Sequence, residues 1–503
     1  MAVSREVRPE FSWRKLLEKP EFHLAALVIV GVAMHLNQPW LGGLAGWDDA
    51  WYASGAIGMI DARSLLTPIH NGYPTFFTAP PLSFWLLALS FLIFGPTTFA
   101  AKFAGGISTL LAVLVIFFVT RKLFRSTPLA AMAAMAFNMD PFILKYGHHA
   151  LAHTAWAGTV ALALGALYAA RKRPLFYLAF ALLSAASILF KSVLGVFPLM
   201  IGGIWFLWDG ASTKEWLRFT GAALLALLLG GSWFIVEYIQ FGDYFLKEHL
   251  GGMLYQYSGV ERISGAPFRL WESVLWPMSK ASLVGLLFLP FGLRALWTHR
   301  SSEERLVFAW ILVPIISMAM TMHPAPKYMA PAFAGMAIST GYFLHRVLSP
   351  RVQQNFLVFL YSVGLVWALA NLALPIHRGR NFLAETQPLL DTLQKEVPVG
   401  SRWVYVVAPH VPLDPQWPNR MMAEYSPSEG PLMRGVVNQI LFYTRRHYKA
   451  IHLQDLKNYH GAESIVFSAN HDLPPHSSPR LRPILSGPDW TLYRFTSFSA
   501  KAS

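Results

Sequence analysis

The 503-residue chain contains no cysteine. Disulfides, thiolate nucleophiles and zinc–thiolate centres are therefore excluded. Charge is scarce as well: Asp, Glu, Lys and Arg make up 14% of the chain, against roughly 25% in a typical soluble protein. That shortage rules out a string of ordinary soluble domains. Also missing are a P-loop, a dinucleotide-binding glycine fingerprint, an HExxH pair and a serine nucleophile elbow. Hydrophobic residues instead reach 54%, with a mean hydropathy of +0.40. Many apolar runs approach the ~20 residues that cross a bilayer as a helix. A chain in lipid must satisfy its backbone hydrogen bonds internally, so the fold class is an all-α polytopic membrane protein. Its 41 Lys and Arg against 27 Asp and Glu need no nucleic-acid partner, because retention of cations on the cytoplasmic side accounts for them.

Apolar segments are expected near 23–37, 99–120, 127–143, 150–170, 174–189, 192–208, 217–236, 275–297, 306–322, 328–346 and 353–374, about eleven spans. Five cations (Arg5, Arg8, Arg14, Lys15, Lys19) precede the first run and no small-residue cleavage site follows it. This predicts an uncleaved first helix with a cytoplasmic N-terminus. With that threading, 18 Lys and Arg fall on cytoplasmic segments and 7 on the opposite loops. The run 82–94 is too short to cross and is bounded by Pro80-Pro81 and Gly95-Pro96. A helix lying along the outer membrane face is expected there, inside a long external loop, 38–98. The transmembrane part is thus read as 1–375. From 376 to 503 the pattern turns polar, with strand-like runs at 403–408, 464–468 and 490–495 and a helix at 435–449. That reads as a small external α/β domain. No internal repeat is evident.

Two acids, Asp48 and Asp49, stand among aromatics in the first external loop. Adjacent carboxylates there suit a general base or ligands for a divalent metal. They suit equally well a capping pair that opens a juxtamembrane helix. External cations form a second group. Lys191 interrupts the apolar stretch SILFKSVLGVF, Arg262 lies in the loop 237–274, and Lys327-Tyr328 sit in the turn MHPAPKYMAPA. Converging, they would bind a phosphate; scattered, they would only snorkel to lipid headgroups. His149 and His153 are four residues apart and would share a helix face, open to a metal or to a purely structural role.

Taken in order, these features resemble bacterial polyprenyl-phosphate-dependent glycosyltransferases of the GT-C fold, the group of lipid A aminoarabinose transferases and relatives of protein O-mannosyltransferases. Asp48-Asp49-Ala50-Trp51-Tyr52-Ala53 resembles the family's Asp-Glu-x-x-Tyr-Ala segment. Residues 79–124 resemble its Pro-Pro-Leu juxtamembrane helix, Phe-Gly-Pro turn and second span. Phe190-Lys191-Ser192 falls where the family has Thr-Lys-Gly, and Gly242-Asp243-Tyr244-Phe245 resembles its Tyr-Gly-Asp-x-Phe segment. The stretch 326–331 resembles Pro-Arg/His-Tyr-Leu-Leu-Pro. The likeness covers roughly 20–350 and departs in two places. Ala79 stands where aminoarabinose transferases carry a lysine, and His153 where the family often has an aspartate.

The resemblance implies an inverting transferase that moves a sugar from undecaprenyl phosphate to a lipid, glycan or protein acceptor on the outer face of the bacterial cytoplasmic membrane. It implies Asp48 as base, with Asp49 positioning it or binding acceptor. Lys191, Arg262, Lys327 and Tyr328 would hold the donor phosphate, and Tyr52, His149 and His153 would line the site. No cofactor is required, a divalent metal at Asp48 and Asp49 being the weaker alternative. Two other classes share the composition: a flippase for lipid-linked sugars, and a membrane scaffold without catalysis.

Overall fold

Helix ends follow the caps that the sequence supplies. In a computed structural model of the chain, the helix Thr98–Phe124 opens with the Thr97 hydroxyl accepting from the Ala100 N–H at 3.2 Å. It closes at Arg125, whose backbone is left-handed (φ 53°), after Arg121 and Lys122 have faced the negative end of the helix dipole. Thr213–Phe241 and Ser302–Ala319 each begin with a reciprocal capping box, Ser212 with Glu215 and Ser301 with Glu304. The structure describes residues 17–37, 39, 42–45, 48–74, 80–246, 249, 278–279, 282–320, 326–373, 382–396, 403–407, 439–445, 447–451, 464–469, 481–486 and 490–495.

Further long helices run Pro20–His35, Thr127–Asn138, His153–Ala170, Phe176–Lys191, Phe197–Asp209, Leu283–His299, Ala330–Val347 and Pro350–Ala373. Each expected apolar segment overlaps helix among the described residues, with shifted ends; 127–143 also takes in the start of a second, short helix, Pro141–Tyr146. Four stretches, Thr98–Phe124, Phe176–Asp209, Thr213–Phe241 and Pro350–Leu372, are long and apolar enough to cross a bilayer. The protein is an integral membrane protein.

Lipid gives no hydrophobic force between helices, so close packing and buried hydrogen bonds must join them. Thr127–Asn138 is alanine-rich, and Ala130, Ala131, Ala133 and Ala134 are fully buried. Gly341 brings the helix Ala330–Val347 against it, since a Cβ at 341 would lie 2.8 Å from the Ala133 backbone nitrogen. Buried polar contacts tie distant spans together. His23 Nδ1 bonds Tyr361 Oη at 2.8 Å, His35 Nε2 bonds Asn138 Oδ1 at 2.8 Å, and Trp156 Nε1 donates to Ser187 Oγ at 3.0 Å.

At the end of the bundle bearing the capping boxes, Asp209 terminates its helix where the dipole disfavours an acid. Arg171 and Arg305 neutralise it, and Arg171 also binds Glu215 at 2.7 Å. The opposite end carries the helix Asp49–Asp61, a short hairpin pairing Ile69–His70 with Tyr73–Pro74, and the helix Leu82–Phe94. Leu82–Phe94 packs Phe84, Leu87 and Phe91 inward and exposes Leu89, Leu92 and Ile93. Thr67 donates to the buried Glu237 carboxylate at 2.8 and 3.0 Å, pinning the intervening loop to the helix Thr213–Phe241.

Beyond 376, the helix Phe382–Glu396 precedes a five-stranded mixed sheet. Its order is 447–451, 403–407, 464–469, 490–495, 481–486, with the first three strands parallel and the last two pairings antiparallel. The expected helix 435–449 is corrected: helix is described only over 439–444, and His447–Ile451 is a strand. The alternation in HYKAI suits a half-covered sheet better than a helix. Gln439 Nε2 donates to the Leu44 carbonyl at 2.9 Å, and the Leu44 N–H donates to Tyr443 Oη at 2.9 Å. Arg445 meets Asp61 at 2.5 Å. This part of the chain therefore grips both ends of the segment that carries Asp48 and Asp49.

The loop 147–152 is set by Thr109, which donates to the Gly147 carbonyl at 2.7 Å, and by Gly105, against which the His149 carbonyl rests. A Cβ at 105 would overlap that carbonyl oxygen. Gly105→Ala is expected to cost about 1–3 kcal/mol by overpacking. It should lower the Tm of the detergent-solubilised protein, while Ala at the uncrowded Gly221 leaves Tm unchanged.

Candidate active site

Asp48 occupies the N-cap position of the helix Asp49–Asp61, yet its side chain makes no capping hydrogen bond. It turns instead to Lys327, whose Nζ donates to Asp48 Oδ2 at 2.7 Å. Both side chains remain about a quarter exposed (28% and 23%), so the pair is not sealed in a core. Burial opposes the charge of Lys327, but the Asp48 carboxylate and the nearby Tyr328 and Tyr52 hold its pKa above that of ordinary lysine.

Asp49 faces the other way. It is 1% exposed, and its Oδ2 bonds His149 Nδ1 at 2.7 Å and accepts from the Ala45 N–H at 3.4 Å. Its Oδ1 is buried without a hydrogen-bond partner. Burial raises the cost of its charge, yet His149, Lys102 and the Ala45 N–H hold its carboxyl below the usual range. The two acids therefore diverge, Asp48 to an ion pair with Lys327 and Asp49 to a hydrogen bond with His149, side by side at one helix end. Neither makes a shared ligand pair, and among the described residues no three of His, Asp, Glu or Cys come close enough to hold a metal.

Lys191 ends its helix at a break. Ser192 has φ 51° and ψ −129°, a backbone conformation that favours glycine, and a 3-10 turn over 192–196 follows. Such strain persists where surrounding structure enforces it; here the Ser192 hydroxyl bonds His249 Nε2 at 3.0 Å. The break aims Lys191 inward, 8% exposed, with its Nζ 5.5 Å from the Tyr328 ring centre. Lys327 Nζ lies 5.8 Å from the same ring. Lys191 is within electrostatic range of both Lys327 and Asp48, and no described acceptor is within hydrogen-bond distance of its Nζ. A snorkelling lysine would point outward to the headgroups, and Lys191 does not.

The expectation that His149 and His153 share a helix face is corrected. His149 lies in the loop 147–152, and the helix begins only at His153. His153 is buried, its ring 6.4 Å from that of Tyr328, so it lines the wall of the same site. Tyr52, also buried, packs on Phe84 beneath Asp48. Arg262 and Ala79 lie outside the described residues. Of the nine residues singled out from the sequence, Asp48, Lys191, Lys327, Tyr328, His153 and Tyr52 meet at one site, and Asp49 with His149 adjoins it. Lys102, near Asp49, was passed over because it reads as part of an apolar span.

Three comparisons with known proteins bear on this geometry. Residues 78–235 match the family model described as dolichyl-phosphate-mannose-protein mannosyltransferase. The undecaprenyl phosphate-alpha-4-amino-4-deoxy-L-arabinose arabinosyl transferase of Pseudomonas aeruginosa is 26% identical over 314 residues, 59% of this chain and 55% of its own length. Among solved structures, ArnT from Cupriavidus metallidurans bound to undecaprenyl phosphate superposes with a TM-score of 0.68 at 15% identity, covering 94% of this chain and 97% of that one. The oligosaccharyltransferase of Archaeoglobus fulgidus superposes with a TM-score of 0.55 at 15% identity, covering 91% of this chain and 70% of its own.

The Asp49 carboxyl supplies a pH test. Its folded pKa is depressed below the ordinary 3.8, so its stabilisation is complete above that value and is lost as pH falls through the folded pKa. Asp49→Asn has no such titration. The Tm gap between wild type and Asp49→Asn should be widest above pH ~5 and should shrink on acidification.

Proposed function

We propose, from the premise that this chain is a glycosyltransferase of the GT-C fold, that it inverts an anomeric centre while moving a sugar from a polyprenyl phosphate to a hydroxyl acceptor. One observation carries the proposal: Asp48 is held by Lys327 at 2.7 Å beside Lys191, a buried lysine with no acceptor among the described residues. A carboxylate tied to lysine is a weak base. An arriving donor phosphate would compete for Lys327, and Lys191 would bind the phosphate as a second cation. Asp48, released, would then take the proton of the acceptor hydroxyl. As that oxygen bonds the anomeric carbon, the bond from carbon to phosphate oxygen breaks and polyprenyl phosphate leaves with the electron pair. Lys191, Lys327 and the Tyr328 hydroxyl would stabilise its charge, as preorganised donors do for other leaving groups.

Among the described residues no second carboxylate joins Asp48 beside Lys327 and Lys191, since Asp49 is turned to His149; this favours single displacement over a covalent intermediate. Asp49 then has a positioning role, fixing the loop that carries His149. Arg262 is retained as a third phosphate ligand on the sequence resemblance alone. The acceptor class, whether lipid A or another envelope lipid, a glycan or a protein, follows only from the kinship with aminoarabinose and mannosyl transferases.

Asp48→Asn keeps the shape and removes the base, so transfer from a polyprenyl-phosphate sugar should fall by ~10²-fold or more. Lys191→Met should slow transfer about ten- to a hundredfold, chiefly through donor binding. Near-normal turnover by well-folded Asp48→Asn protein would overturn the assignment.

The proposed membrane placement is the bacterial inner membrane, with eleven crossings, Leu82–Phe94 lying along the outer face, the N-terminus inside and residues 376–503 outside. It rests on the distribution of Lys and Arg. A reporter fused after Ser503 should be active only when it requires export; activity confined to the cytoplasm would reverse the orientation.

A further inference from the structure

At the end of the bundle opposite Asp48, the helices Thr98–Phe124, His153–Ala170 and Phe176–Lys191 leave a groove of about 700 Å³ between them. The 98–124 helix starts near the candidate site and reaches the groove some twenty residues later, roughly 30 Å along its axis at 1.5 Å per residue. The groove is therefore on the other side of the membrane. Small residues carve it: Gly165, Ala166, Ala169 and Ala179 form the floor, while the partly exposed Phe118 and Leu162 stand beside them. Arg121, Lys122 and Arg125 line its rim. None of the three is in an ion pair with a described residue, unlike Arg171 and Arg305, which are held by Asp209. Arg125 also lines an adjoining cavity of about 470 Å³ together with Arg171, Lys172, Tyr168, Ser302 and one acid, Glu303, which accepts from the Tyr168 hydroxyl.

We propose that this groove is a binding site for an anionic phospholipid of the leaflet opposite the candidate active site. An acyl chain would fill the apolar floor, its phosphate would lie against Arg121, Lys122 and Arg125, and its headgroup would reach the second cavity. Charge complementarity selects this occupant over the tail of a polyprenyl lipid. That tail is equally apolar but brings no charge to this side, and would leave three cations with nothing to neutralise. A cation at the membrane surface strengthens binding of acidic lipid about fivefold, so removing three should weaken it about a hundredfold.

The full-length protein, stripped of lipid in mild detergent, is titrated with phosphatidylglycerol, phosphatidylcholine or undecaprenol while bound lipid is counted by native mass spectrometry and Tm is followed. Wild type should retain one phosphatidylglycerol more tightly than phosphatidylcholine, with a rise in Tm. Arg121→Gln/Lys122→Gln/Arg125→Asn should lose that preference; asparagine is chosen at 125 because the backbone there is left-handed. Ala179→Phe, which fills the floor and keeps the charges, should lose it too, whereas Arg173→Gln, on an exposed residue outside the groove, should not. Unchanged phosphatidylglycerol preference in the triple variant would overturn the proposal, because the cations would then play no part. Undecaprenol that binds as tightly as phosphatidylglycerol and is lost in Ala179→Phe would also overturn it, by assigning the groove and not the candidate active site to an uncharged tail. Both readouts are independent of sugar transfer.

Discussion

A charge at the edge of a hydrocarbon layer must find a counter-charge, and the ion pair between Asp48 and Lys327 answers that demand. The two residues are 279 positions apart, so their 2.7 Å contact joins the start of the bundle to a turn between two of its last helices. The surrounding structure serves to make that meeting possible. Alanine-rich Thr127–Asn138 lets Ala330–Val347 approach closely, and this helix follows directly on the turn that bears Lys327. Thr67 and Glu237 anchor the external loop, while Gln439 and Tyr443 hold Leu44 four residues before Asp48. A lysine already committed to an aspartate can change partner when a phosphate enters. In the proposed mechanism Lys191, with no acceptor among the described residues, would supply the attraction that brings the phosphate in.

The two contacts at this helix end differ in what they allow. Asp48–Lys327 is partly open to solvent and can be exchanged, whereas Asp49 is sealed and has one oxygen with no partner. An ionised carboxylate held that way is costly unless its imidazole partner stays in place. The loop 147–152 is accordingly fixed from beneath by Thr109 and by the absence of a side chain at Gly105. Adjacent residues in sequence thus serve separate purposes because the helix start points them to opposite sides.

Much of the bundle was legible because membrane spans are written in one dimension: each is a run of apolar residues between polar punctuation. The cations were legible for the same reason, since Lys191 in SILFKSVLGVF breaks a pattern that hydrocarbon enforces. Partners were not. Nothing local says that Asp48 meets Lys327 while Asp49 meets His149, and helical spacing wrongly put His149 and His153 on one face because it cannot register that the helix starts only at 153. Capping preference misled as well: Asp48 stands at an N-cap and leaves the cap unmade, because a lysine outcompetes a backbone N–H for its charge. In the polar tail, HYKAI joined a helical pattern to its left when its own alternation marked a strand. The strand Leu481–Ser486 was missed because Pro483 sits inside it, which is tolerable only on the sheet edge it occupies.

The grip of residues 439–445 on the Asp48 segment has a consequence for biosynthesis. A ribosome delivers this chain from its first helix onward, so Asp48 emerges nearly four hundred residues before the groups that brace Leu44 and Asp61. Until those late residues are made, the early loop lacks its braces at Leu44 and Asp61, even with every membrane helix already inserted. Completion of the chain is thus the last brace on a segment whose two acids have partners, Lys327 and His149, that are made before the final membrane helix.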